Sequence, residues 1–252
     1  MAVIILTGAS RGIGLAIAHK VLKDPSTKLV AVARSKDKLD SLVNEYSSRD
    51  ILPIAADLAE PNSADIIIKK TIETYGSIDC LILNAGKLDP VGPIAKADVP
   101  GYKQLFDVNF FSIVDLVSKS VEFLRKTKGN VIFVSSGASV TSYDGWAAYG
   151  ASKAALNHFS QSLDSEESDI SSISIAPGVV DTQMQEDIRN VFGQNMKPDA
   201  HKRFTDLKEE NKLHPPEVPA AVYANLALKG IPTDLSGKYL RFTDPLLEEY
   251  QN

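Results

Sequence analysis

A tyrosine and a lysine stand four residues apart in Tyr149-Gly150-Ala151-Ser152-Lys153, and Ser136 lies thirteen residues before the tyrosine. On a helix, positions i and i+4 share a face, so this spacing points a phenol and an ammonium into one space. A free phenol has a pKa of about 10 and holds its proton firmly at neutral pH. A neighbouring cation favours phenolate and moves that pKa toward the working range. The pair is therefore suited to a general acid that protonates an oxygen. Tyr-x-x-x-Lys also occurs on solvated helix faces, so the rest of the chain has to give the pair its meaning.

The elements that must position these groups are visible as apolar runs alternating with helical patterns. Runs at 3–7, 29–33, 51–55, 80–83, 131–135, 173–176 and 238–242 are continuous rather than alternating, as strands buried on both faces are. Helical patterns fall at 14–23, 36–47, 64–75, 102–125, 147–167 and 219–229. Strand followed by helix, repeated, predicts an α/β fold: a doubly wound, seven-stranded parallel sheet of Rossmann type, in one domain over 1–252. The stretch 182–216 is longer than a standard crossover and carries Met184, Phe192, Met196 and Phe204 among many charges. It reads as a substrate-pocket insert or lid, as surface helices packed on the core, or as both.

Bulk composition narrows the classes. Of 252 residues, 44% are hydrophobic and 23% charged, the balance of an ordinary globular chain. The net charge of −5 argues against nucleic acid as the main partner. No apolar run reaches transmembrane length, and the start, Met1-Ala2-Val3-Ile4-Ile5-Leu6-Thr7, reads as a strand rather than a signal peptide, so a cytoplasmic protein is expected. The single cysteine, Cys80, excludes an intramolecular disulfide and sits in an apolar run, as a buried structural thiol would. The four histidines, at 19, 158, 201 and 214, have no metal-ligand spacing, so no metal is expected.

Thr7-Gly8-Ala9-Ser10-Arg11-Gly12-Ile13-Gly14 follows the first strand and opens the first helix. Glycines there let the backbone turn tightly and approach a pyrophosphate, and the helix N-terminus offers free N–H groups and a positive dipole end. The spacing Gly-x-x-x-Gly-x-Gly differs from Gly-x-Gly-x-x-Gly, but its place between strand and helix is the right one. At the end of the second strand an NAD enzyme carries an acid for the ribose 2′-hydroxyl. Here the chain reads Ala33-Arg34-Ser35. The guanidinium of Arg34 suits a 2′-phosphate, with Arg11 as a second cation, so NADP(H) is expected. Asp57-Leu58 closes the third strand and Asn84-Ala85-Gly86 the fourth, where open α/β sheets bind ligands.

Together these segments resemble the short-chain dehydrogenase/reductase family. The resemblance rests on Gly8/Gly12/Gly14, Asn84-Ala85-Gly86, an asparagine in the long central helix, Ser136, Tyr149/Lys153 and Pro177-Gly178-Val179-Val180-Asp181-Thr182, in order along nearly the whole chain. It is closer still to the fungal benzil reductases, (S)-benzoin forming, with sepiapterin reductases more distant. The stretches that carry it are 105–111, 134–139, 145–149 and 176–184.

The resemblance implies roles. Tyr149 is the general acid in carbonyl reduction, Lys153 holds the nicotinamide ribose and lowers the Tyr149 pKa, and Ser136 bonds the substrate carbonyl. Asn109 anchors a water in a proton relay through Lys153. Gly8, Ser10, Arg11, Gly12, Ile13, Gly14, Arg34, Ser35, Asp57, Leu58, Asn84, Ala85, Gly86, Pro177, Gly178, Val180 and Thr182 join Tyr149 and Lys153 around the dinucleotide. A homo-oligomer, dimer or tetramer, is implied through the helices near 102–125 and 147–167.

For the substrate, Leu88, Val140, Tyr143, Trp146 and Met184 suggest an apolar, aromatic pocket for a hydrophobic ketone or a 1,2-diketone such as benzil. No clustered Arg or Lys demands an anion. A pterin would want a carboxylate, with Asp144 or Asp181 as candidates. The function expected is NADPH-dependent carbonyl reduction of a small molecule. The alternatives are a sepiapterin-type reductase and a non-catalytic cofactor-sensing protein.

Overall fold

A computed structural model describes residues 2–251. Seven parallel strands form one sheet in the order β3-β2-β1-β4-β5-β6-β7. They are β1 (Val3–Thr7), β2 (Lys28–Ala33), β3 (Asp50–Ala55), β4 (Cys80–Leu83), β5 (Asn130–Val134), β6 (Ser171–Ala176) and β7 (Tyr239–Arg241). The central strands β1 and β4 are buried along their whole length, which is why their sequences are unbroken apolar runs. β3 lies at an edge and is mostly open, and there Pro53, which cannot donate to a ladder, is tolerated.

The helices are α1 (Gly12–Val21), α2 (Lys36–Glu45), α3 (Ser63–Tyr75), α4 (Val99–Phe106), α5 (Ser112–Thr127), α6 (Ala147–Glu166), α7 (Gln183–Asp187), α8 (Pro198–Glu209) and α9 (Glu217–Lys229). Two core clusters cover the two faces of the sheet. One gathers Ile17, Leu39, Val222 and Tyr223 from α1, α2 and α9. The other gathers Ile67, Leu116, Val117 and Leu156 from α3, α5 and α6. A third, smaller cluster holds Leu88, Trp146, Tyr149, Ile188, Met196 and Phe204, so the 182–216 segment packs its apolar side chains directly beside Tyr149.

One feature departs from the sequence expectation and another agrees with it. The helix expected over 102–125 is α4 and α5 joined by a π-helical turn, Asp107–Phe111. Such turns often mark functional positions, and this one places Asn109. Cys80 is fully buried and burial pushes its thiol pKa up, in keeping with a structural role. Among the described residues no helix is long and apolar enough to cross a membrane.

Candidate active site

The order of strands reverses between β1 and β4, and the crevice beyond their carboxyl ends is where such sheets bind ligands. From β1 the chain turns through Gly8 (φ +69°) and Gly12 (φ +54°), both in the left-handed region that favours glycine. Gly14 is needed for space. A methyl there would stand 2.1 Å from the Gly8 carbonyl oxygen and 2.6 Å from Asn84 Nδ2. Asn84 Nδ2 donates to the carbonyls of Thr7 (3.0 Å) and Gly8 (3.3 Å). Thr7 Oγ1 in turn accepts from the backbone N–H of Asn84 (2.9 Å) and of Ala85 (3.1 Å). The glycine turn is thereby stapled to the end of β4, a task for Thr7 that its position inside a strand run did not suggest. The first turn of α1 carries no acidic side chain and no side-chain cap, so its positive end remains free for an anion.

The crevice opens into a cleft of about 550 Å³. Its walls include Gly8, Ser10, Arg11, Gly12 and Ile13, then Arg34, Asp57 and Leu58, then Asn84, Ala85 and Gly86. Ser136, Tyr149, Lys153, Pro177, Gly178, Val180 and Thr182 complete them. Of the site residues expected from sequence, Gly14, Ser35 and Asn109 do not line the cleft. Gly14 packs behind the turn, Ser35 precedes α2 as its N-cap, and Asn109 is fully buried. Arg34 Nη1 lies 4.0 Å from Asp57 Oδ2, and the two side chains are 73% and 42% exposed, so the guanidinium stays open to a phosphate. The bare glycine cradle, the free helix end and this open guanidinium fit an NAD(P)(H) dinucleotide.

α6 carries Tyr149 and Lys153, both buried. Ser136, just beyond β5, lines the same cleft and lies near enough to the Tyr149 hydroxyl to act on its pKa. Burial nonetheless pushes the Tyr149 pKa up to about 12, with Ser136 acting in the opposite direction to a smaller extent. Burial also brings Lys153 down to about 8. The sequence leads one to expect a phenol pKa lowered by the lysine; instead, loss of water raises it, and both groups shift toward their neutral forms. Lys153 Nζ donates to the Val134 carbonyl at 2.8 Å.

Two networks hold these groups. The Ser136 carbonyl accepts from Ser139 Oγ (2.6 Å) and Tyr239 OH (3.2 Å). Ser139 Oγ accepts from Asn157 Nδ2 (2.8 Å), and Asn157 Oδ1 accepts from Ser135 Oγ (2.6 Å). Asn157 is one helical turn beyond Lys153, a spacing that could have flagged it. Separately, Asn109 Oδ1 accepts from the Lys87 N–H (2.8 Å), while its Nδ2 donates to the Lys87 carbonyl (2.9 Å) and Ser152 Oγ (3.2 Å). The asparagine therefore ties the loop after β4 to α6. A methyl on Gly86 would sit 3.4 Å from Asn109 Oδ1 and 3.6 Å from Lys153 Nζ, so both groups flank the same gap.

On the substrate side Tyr143, Trp146 and Met184 line the cleft, but Leu88 and Val140 do not. Leu88 is packed in the third core cluster and Val140 is 61% exposed. Asp144 and Asp181 are also outside it. Asp144 Oδ2 accepts from the Lys197 N–H (2.6 Å), and Asp181 pairs with Lys208 (2.7 Å). Arg203, Lys212 and Arg241 line the cleft as well, so basic side chains gather here where the sequence shows no clustered Arg or Lys. Among the described residues no cluster of three or more His, Cys, Asp or Glu forms a metal site.

A Rossmann sheet with a glycine turn and a Ser-Tyr-Lys group in one cleft defines a dinucleotide-dependent oxidoreductase. The family model described as short chain dehydrogenase matches residues 2–191, and the chain belongs to that family, whose members use NAD(P)(H). It is similar to the benzil reductase ((S)-benzoin forming) IRC24 of Saccharomyces cerevisiae, 46% identical, with 99% of this chain and 98% of that one aligned. Among solved structures it resembles the KRED1-Pglu enzyme (50% identity, TM-score 0.93, 95% and 100% coverage). It also resembles the YIR035C short chain dehydrogenase/reductase of Saccharomyces cerevisiae (43% identity, TM-score 0.98, 100% of each chain).

Proposed function

We propose that the protein is an NADPH-dependent carbonyl reductase acting on a ketone or a 1,2-diketone such as benzil, giving a chiral hydroxy ketone. The observation that carries this reading is the placement of Ser136, Tyr149 and Lys153 in the same cleft as the glycine turn. The family assignment and the benzil reductase relative support it.

The chemistry follows from the placement. Ser136 and Tyr149 direct donors at one carbonyl oxygen and stabilise the negative charge that develops there. With a pKa near 12, Tyr149 keeps its proton at neutral pH and has it to give. That transfer is worth about 10²–10⁴ in rate. A bound nicotinamide supplies the hydride. Lys153 holds the ribose hydroxyls, Arg34 and Arg11 hold the 2′-phosphate, and Thr182 meets the carboxamide. Asn109 fixes α6 against the loop after β4. The 182–216 segment supplies the substrate wall through Met184 and Phe204. The pterin alternative has no support from the site, because Asp144 and Asp181 are engaged outside it. The test is reduction of benzil with NADPH and with NADH, with product chirality resolved. NADPH-linked formation of one benzoin enantiomer is expected; no reduction of benzil or related ketones contradicts the reading.

A further inference from the structure

The cationic side of the cleft has an address. On β7, Tyr239 and Arg241 flank the buried Leu240 and so share one sheet face. Tyr239 turns that face to Ser136 through its bond to the Ser136 carbonyl (3.2 Å). Arg241 Nη2 lies 3.9 Å, and Tyr143 OH 3.7 Å, from where a methyl on Gly137 would stand. A guanidinium therefore sits beside the residue that follows Ser136. Arg203 adds a second, 5.1 Å from the centre of the Tyr143 ring. Neither arginine has an ion-pair partner among the described residues, whereas Lys212 is paired with Glu210 at 2.6 Å. Among the described residues the only acidic side chain lining the cleft is Asp57, beyond β3 at the opposite edge of the sheet. Uncompensated positive charge inside a walled cleft concentrates anions. A guanidinium fork matches a carboxylate with two parallel hydrogen bonds.

Next to these charges the aromatic rings are nearly parallel. Trp146 lies 5.0 Å from Tyr143 at 19° and 5.2 Å from Phe204 at 16°. They form an aromatic wall of stacked rings against which an aryl ring can pack. A carboxylate on Arg241, a carbonyl on Ser136 and a ring on this wall must belong to one short molecule.

We infer that the cleft reduces aryl 2-oxo carboxylates, with Arg241 binding the carboxylate beside the reacting ketone. This rests on the carbonyl-reductase reading. The carboxylate is unchanged in the step: the ketone carbon gains the hydride that reduced nicotinamide supplies, the oxygen gains the Tyr149 proton, and the product is the 2-hydroxy acid. A neutral 1,2-diketone places a second carbonyl oxygen where the carboxylate would be, so the two substrates differ mainly in charge.

The test compares phenylglyoxylate with neutral 1-phenyl-1,2-propanedione in wild type, Arg241→Gln and Arg241→Lys, following NADPH oxidation. Trp146 is the only tryptophan, so its fluorescence reports phenylglyoxylate binding independently of turnover. Both compounds are expected to be reduced by wild type, and phenylglyoxylate to quench Trp146. Arg241→Gln should lower the ratio of kcat/KM for phenylglyoxylate over the diketone about tenfold or more, chiefly through KM. Arg241→Lys should recover part of it. Reduction of the diketone without reduction of phenylglyoxylate overturns the inference and leaves the carbonyl-reductase reading standing, as does an equal loss on both substrates in Arg241→Gln. Failure to reduce either compound removes both.

Discussion

Lys153 Nζ stands 5.8 Å from the centre of the Tyr149 ring and gives a hydrogen bond to the Val134 carbonyl at 2.8 Å. One turn of α6 brings the two side chains to one face, and the bond to Val134 fixes that face against the end of β5. Burial then acts on each. The phenol rises to about 12 and the ammonium falls to about 8, so neutral pH finds the phenol protonated and the amine close to its own titration.

That proximity predicts a pH limb. With the carbonyl substrate saturating, kcat/KM for NADPH should fall as pH rises through about 8, where Lys153 loses its charge. In Lys153→Arg, whatever activity remains should show that limb displaced upward, because a guanidinium stays charged. The stability effect has the opposite direction. The folded pKa lies below the unfolded value of 10.5, so between about 8 and 10.5 the unfolded chain binds more protons and folding stability from this group rises with pH. Below about 8 both states carry the charge and the desolvation cost is fully present. Steady-state pH profiles and melting curves of wild type and Lys153→Met measure the two effects.

Arg34 should select the cofactor. Its guanidinium is open and only 4.0 Å from Asp57. Arg34→Asp places an acid where the 2′-phosphate would bind. The ratio of kcat/KM for NADPH over NADH should fall about tenfold or more, mainly through loss with NADPH. An unchanged ratio would remove the argument for NADP(H).

Gly14→Ala should harm folding and nucleotide binding together. The added methyl meets the Gly8 carbonyl oxygen at 2.1 Å, and backbone there cannot give way without moving the phosphate turn. A loss of about 1–3 kcal/mol is expected in denaturant unfolding, with weaker NADPH binding in the same variant.

Asn157→Leu should act on Ser136 at a distance. The substitution removes partners from Ser135 and Ser139, and Ser139 in turn bonds the Ser136 carbonyl. Asn157 is a positioning residue, so kcat should fall about tenfold while KM for NADPH stays near the wild-type value. Loss of NADPH binding instead would assign it a general structural role.

Much of the scaffold was legible in the sequence because buried parallel strands are written as continuous apolar runs. Val3–Thr7 and Cys80–Leu83 begin and end where the runs do. The π turn at Asp107–Phe111 was not legible, since one extra residue in a helical turn leaves the apolar pattern of 102–125 nearly intact. The glycine turn and the Ser136/Tyr149/Lys153 group could be read because their chemistry needs short spacings. Arg203 and Arg241 could not, because they reach the cleft only after α8 folds over it and β7 joins β6. Leu88 and Val140 were expected in the pocket from residue type alone, and type does not say which way a side chain faces. The raised phenol pKa was also out of reach, because spacing shows a neighbour's charge and not the loss of water.

The measurement that bears most directly on the central claim is the Tyr149→Phe variant, assayed for benzil reduction and, separately, for NADPH affinity by fluorescence titration. The substitution deletes the proton and little else. Turnover should drop by about 10²-fold or more while NADPH affinity stays close to wild type. Benzil turnover equal to wild type in that variant would contradict the account.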